Sequence, residues 1–95
     1  MTYKKLKDII KENIKFQEEI YISNCFNRKY EIESHADITI YRNIYNIYIV
    51  TKWWDHEYHI PKEQQCFKDK DLAVDYAWKL FGGDEEFKKF LDKNK

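Results

Sequence analysis

Apolar side chains in this chain change their spacing twice, and that change constrains the fold more than any other feature. From about residue 20 to residue 60 they recur at every second position, the period of a half-buried strand. On either side they recur every three to four residues, the period of one helix face. Tyr30, Ile32 and Ser34 alternate with Glu31 and Glu33. Ile38 and Ile40 alternate with Thr39 and Tyr41. Ile47, Ile49, Thr51 and Trp53 alternate with Tyr48, Val50, Lys52 and Trp54. β-Branched and aromatic residues suit such a pleated surface. Breaks at Asn27-Arg28, around residues 34–37, at Arg42-Asn43 and at Asp55-His56 divide the region into three or four strands. The connections are too short for crossovers, which predicts an antiparallel meander. Pro61 is expected to end the last strand, because it cannot donate to a ladder.

The flanks read as helices. Tyr3, Leu6, Ile9, Ile10, Ile14, Phe16 and Ile20 fall on one side of a helical wheel, with Lys4, Lys7, Asp8, Lys11, Glu12, Lys15, Glu18 and Glu19 on the other. This predicts a helix through the first twenty residues, with Thr2 as its N-cap and Asn13 as the odd polar residue in the apolar arc. A second helix is expected over 69–81, capped by Asp69 or Asp71 and stopped by Gly82-Gly83. Its residues are apolar around most of the wheel, the mark of a core helix lying across the sheet. Asp84-Glu85-Glu86 then opens a short last helix with Phe87, Phe90 and Leu91 on its buried side. The fold class is therefore α+β: an N-terminal helix, a three- to four-stranded antiparallel meander sheet, and two C-terminal helices packed on one sheet face. Ninety-five residues make this a single domain, 1–95, with one core.

Charge and composition exclude several functions. The 17 basic and 17 acidic side chains balance, and residues 21–62 carry five of each, so neither the whole chain nor its strand region has the basic excess that nucleic acid or an anionic membrane requires. There is no apolar stretch near the roughly 20 residues of a spanning helix. The N-terminus has no signal core, so a cytoplasmic location is expected, with Cys25 and Cys66 as free thiols. Lys, Ile, Asn and Tyr are abundant and all have AT-rich codons, which points to a low-GC bacterium or its phage.

Catalytic and metal motifs are weak. His56-Glu57-Tyr58-His59 places two histidines three apart in a strand region, not four apart on a helix, and on a strand they would point to opposite faces. Cys25 and Cys66 would complete a Cys₂His₂ set in number only, since the spacing fits no zinc pattern. Ser23 and Ser34 sit in no nucleophile elbow, and Cys66 lacks a basic neighbourhood. Glu31 and Glu33 share one exposed strand face, and Gly82-Gly83 is a helix stop. No enzyme activity, metal or cofactor is expected.

The aromatic content, 18% of residues, is the positive signal. Adjacent Trp53 and Trp54 must face opposite ways on a strand. Trp53 is assigned to the core with Ile47 and Ile49. Trp54 then faces out with Tyr48, Val50 and Lys52, beside Tyr41 on the next strand. That open face is the expected partner site: Trp54 and Tyr48 as anchors, Lys52 paired with a partner carboxylate, Tyr41 alongside, and Tyr45 and His59 at the margin. The alternatives are a face covered by a loop or by the C-terminal segment, a homodimer closed across it, or a platform on which Tyr41, Arg42, Tyr45, Tyr48, Lys52 and Trp54 stack single-stranded nucleic acid.

The order of elements resembles that of small phage-encoded anti-CRISPR proteins, a group of CRISPR-nuclease inhibitors among them. The amphipathic start from Leu6 to Ile20, the strands between Tyr30 and Ile60, and the paired helices from Asp71 to Phe81 and from Asp84 to Leu91 carry the likeness. It implies a non-enzymatic inhibitor, or immunity-type factor, acting by protein–protein contact on a larger nuclease or similar machine. Those inhibitors are commonly strongly acidic, whereas this chain is neutral. Aromatic contacts, not charge mimicry of DNA, are then the expected means.

Overall fold

The computed structural model describes residues 3–22, 25, 38–83 and 85. Among these, the chain runs α1 (Tyr3–Asn13), β1 (Glu19–Tyr21), β2 (Ile38–Arg42), β3 (Tyr48–Asp55), β4 (Ile60–Phe67) and α2 (Lys70–Phe81). The four strands form one antiparallel sheet in chain order, β1-β2-β3-β4. The expected strand around Tyr30–Ser34, the Thr2 cap and the last helix from Asp84 lie outside the described residues.

The first helix is shorter than its apolar period suggests. It stops at Asn13, whose Nδ2 donates back to the Ile9 carbonyl at 2.8 Å, an alternative partner that competes with continuing the helical ladder. Gln17 then takes a left-handed conformation (φ 59°), and its N–H donates to the Arg42 carbonyl at 2.8 Å. Glu19 and Ile20, expected on the helix, instead pair with Tyr41 and Ile40 as strand β1.

Both β-hairpins close by the same device. Asn46 N–H bonds to the Asn43 carbonyl at 3.0 Å, and His59 N–H to the His56 carbonyl at 3.2 Å. The closing residue is left-handed in each: φ 58° at Asn46 and 56° at His59. This is the tight turn with a left-handed final residue that matches the twist of the flanking strands. Side-chain bonds reinforce both turns. Asn43 Oδ1 accepts from Tyr45 and Ile47 N–H, and Asp55 Oδ1 accepts from Tyr58 N–H.

The second hairpin continues where sequence reasoning stopped. Pro61 does not end the sheet. It is the second residue of β4, paired with Trp53 where the register shifts. Among the described residues β4 is an edge strand, and an edge tolerates a residue that cannot donate on its open side.

Helix α2 is capped as its sequence predicts. Asp69 Oδ1 accepts from Asp71 and Leu72 N–H at 2.7 and 3.1 Å, and Gly82 closes the other end with φ 112°. Ala73, Val74, Ala77, Trp78 and Phe81 are buried in one cluster with Ile38, Ile40, Tyr48 and Val50 of the sheet and Ile10 and Ile14 of the N-terminal segment. Lys11 Nζ links α1 to α2 through Asp71 Oδ1 at 2.5 Å.

The burial of β3 reverses the expected faces. Val50 is fully buried and Tyr48 only 8% exposed, both in the α2 cluster, while Ile47 and Ile49 are half-buried. Alternation distinguishes two faces but not which of them meets the helix. Both faces of this strand are apolar enough to serve.

Candidate functional site

The β3–β4 hairpin gathers most of the chemically distinctive side chains. On its inner side, His56 Nε2 lies 2.8 Å from Glu19 Oε1 of β1. The Tyr21 hydroxyl lies 3.1 Å from His56 Nδ1 and 3.3 Å from Nε2. A carboxylate only accepts, so the contact with Glu19 calls for the proton on Nε2 and leaves Nδ1 open to the Tyr21 hydroxyl in the neutral ring. Trp53 meets the His56 ring edge-on at 4.7 Å between centroids, and His59 follows at 6.1 Å from Trp53 and 6.0 Å from His56. Trp53 Nε1 donates to Thr39 Oγ1 at 2.8 Å, and Gln64 Nε2 donates to Thr51 Oγ1 at 2.9 Å. These bonds supply donors to the two buried threonines.

Three large apolar side chains at this end of the hairpin are exposed. Trp54 is 69% exposed, Tyr58 71% and Ile60 48%. Trp54 owes its exposure to the register shifts flanking Trp53, which take it out of the regular alternation. Lys62 Nζ stands 5.9 Å from the centre of the Trp54 indole. This hairpin end thus exposes two aromatics and an isoleucine, with a cation beside Trp54, and its turn is tied to β1 by the Glu19–His56 contact.

The sequence-based site residues separate. Trp54 and His59 lie at this tip, and Lys52 stands just before it, half-buried opposite Glu63. Tyr45 is 77% exposed, but it sits in the Asn43–Asn46 turn at the opposite end of β3. Six residue steps of strand from Tyr48 to Trp54 put roughly 20 Å between the two ends. Tyr41 is half-buried, paired with Ile49. Tyr48 cannot anchor a partner, because it is core: Phe67 pairs with it from β4, and Arg42 lies 5.8 Å over its ring. The single open face of Tyr41, Tyr48, Lys52 and Trp54 is therefore not formed. Sequence reasoning missed Glu19 and Tyr21, which it placed on or next to a helix, and did not single out Tyr58 and Ile60, which it left within the strand region.

The histidines differ from expectation as well. His56 and His59 occupy a turn, not a strand, so both reach Trp53 instead of pointing apart. Still, no three His, Cys, Asp or Glu side chains converge as a ligand set among the described residues. Cys25 is half-buried and burial pushes its thiol up to about 12, the wrong direction for a nucleophile. Cys66 pairs with Ile49 six residues along β4 from Ile60, roughly 20 Å from the histidines. No family model, curated protein or solved structure matches this chain.

Proposed function

We propose that this chain is a non-enzymatic binding protein that engages a larger protein through the tip of its β3–β4 hairpin. The observation that carries the reading is the exposure of Trp54, Tyr58 and Ile60 at one end of the β3–β4 hairpin. Aromatic side chains dominate binding energy when a partner covers them. Two aromatics at a closed, braced hairpin end lose little freedom on binding, so more of their burial appears as affinity. Lys62 beside Trp54 suits a partner pocket with a carboxylate at its rim. The finer proposal, an inhibitor of a nuclease or comparable machine, rests on the order of elements and uses this tip as the blocking wedge.

Site-specific photocrosslinking tests it. A photoreactive residue at position 58 should yield one dominant protein adduct in host cells, and the same residue at position 72, exposed on α2, should not. With that partner purified, Trp54→Ala should weaken binding by about 2 kcal/mol or more while the protein stays folded. Equal labelling from both positions, or an unchanged affinity, refutes the assignment. Capture of single-stranded oligonucleotides in place of protein, lost in Trp54→Ala, would replace it with the nucleic-acid reading.

A further inference from the structure

The end of the molecule opposite the hairpin tip holds an arginine without an acidic partner. Arg42 is the last residue of β2 and is half-buried. Its guanidinium lies over two rings, 5.5 Å from the centre of Phe16 and 5.8 Å from that of Tyr48. Nε and Nη2 both donate to Asn46 Oδ1, at 3.0 and 2.9 Å. Among the described residues Arg42 forms no ion pair, and Glu18, exposed on the segment beside it, stays outside ion-pair distance.

This arrangement leaves a receptor for an anion. A guanidinium holds its N–H groups in one plane as a rigid fork. Asn46 occupies the edge formed by Nε and Nη2. The far edge, formed by Nη1 and the second N–H of Nη2, has no acceptor among the described residues, and such an edge takes a carboxylate through two parallel hydrogen bonds. The rings and the Asn46 bond fix the plane beforehand, so little freedom is lost when an anion arrives. The surroundings are apolar. Phe16 is exposed beside the guanidinium, and Ile44 and Tyr45 are exposed in the turn that Arg42 and Asn46 tie off. Asn43 Oδ1 accepts from the Tyr45 and Ile47 N–H groups and stiffens that turn.

We infer that this end is a second docking surface: Arg42 takes a carboxylate side chain of a protein partner on its free edge, while apolar residues beside that carboxylate cover Phe16, Ile44 and Tyr45. Arginine and tyrosine at the centre of an apolar patch are the residues that dominate binding energy. A phosphate backbone would need a row of cations. Here the neighbours of the guanidinium are two rings and an amide, and the chain as a whole is neutral. Roughly 20 Å of β3 separates this end from Trp54, and the inference does not rest on the reading of the tip.

Peptide display tests it with probes of defined chemistry. A random linear peptide library is first depleted on the full chain carrying Arg42→Gln, which removes peptides that bind the tip or any other surface. It is then selected on the unaltered chain. The enriched peptides should share an aspartate or glutamate flanked by aromatic or aliphatic residues. For one such peptide, followed by fluorescence anisotropy, exchange of its acid for the matching amide should weaken binding at least about tenfold. Asn46→Asp should do the same from the protein side, because it gives Arg42 a carboxylate within the chain and keeps a residue type that accepts the left-handed turn. Tyr45→Ala should also weaken binding, and Trp54→Ala should leave it unchanged, so the two ends succeed or fail separately. Circular dichroism confirms that each variant is folded. No enrichment after depletion, enriched peptides without an acid, or undiminished binding to Asn46→Asp overturns the inference. Oligothymidylate bound more tightly than any peptide, and lost in Asn46→Asp, would make the ligand a phosphate and overturn the protein partner too.

Discussion

The indole of Trp53 donates to the hydroxyl of Thr39 at 2.8 Å, crossing from β3 to β2, while the indole beside it, Trp54, stands in solvent. Two identical neighbours thus do unrelated work. Trp53→Phe removes a donor from a buried oxygen and should cost about 1–3 kcal/mol of stability. Trp54→Phe touches no buried partner and should stay within about 0.5 kcal/mol. Urea denaturation of the two variants separates these outcomes, and similar losses in both would contradict the assignment.

What could be read in advance divides along physical lines. Local signals were legible. Asp69 caps α2 and Gly82 ends it because both effects act within one turn of chain. The antiparallel sheet followed from short spacing between alternating segments. Long-range choices were not legible. Alternation cannot say that Tyr48, not Ile47, faces α2, since that depends on which apolar surface arrives from a helix further along the chain or from the neighbouring strand. Asn13 carried the end of α1, but the continuing apolar period at Phe16 and Ile20 outweighed it. Pro61 misled because edge position, which makes it harmless, is a property of the assembled sheet. The hairpin tip was legible only through Trp54 and His59; Glu19, which braces it, is 37 residues away from His56.

The two cysteines should react at very different rates. Burial pushes Cys25 up to about 12 from 9.0, so at pH 8 it holds its proton and sits shielded, whereas Cys66 is exposed. Iodoacetamide at pH 8 should alkylate Cys66 first, and Cys25 only after denaturation, as peptide mapping would show. The folded state holds its thiol proton where the unfolded chain has released it, so stability should fall as pH rises from 9 towards 12. Lys11 works in the same direction: its hydrogen bond to Asp71 raises its affinity for a proton, and that support is lost above its ordinary 10.5. Cys25→Ala should flatten the alkaline decline. An unchanged slope would mean that burial of Cys25 is not its source.

Turn strain predicts a second asymmetry. His59 and Asn46 both hold positive φ, but asparagine accepts that conformation more readily than histidine. His59→Gly should therefore raise stability by about 0.5–1 kcal/mol. Asn46→Gly should gain nothing, because it also discards the oxygen that accepts from Arg42 Nε and Nη2 at 3.0 and 2.9 Å. Thermal unfolding read by far-ultraviolet circular dichroism decides the sign of each change.

The brace between Glu19 and His56 should matter more for the order of the tip than for the whole fold. Both side chains remain about one-third exposed, so their coupling in a double-mutant cycle should be modest, ~0.5 kcal/mol, and weaker in high salt. Locally the effect is different. Among the described residues, the contact ties the His56–His59 turn to another strand together with the Tyr21 hydroxyl and the Trp53 ring. Glu19→Ala should accordingly speed amide exchange at residues 56–60 several-fold while leaving α2 amides unchanged, the pattern of local and not global opening. If exchange rises uniformly across α2 and the tip, the contact serves global stability. If it rises nowhere, the turn holds itself closed through Asp55 and the His59–His56 backbone bond alone.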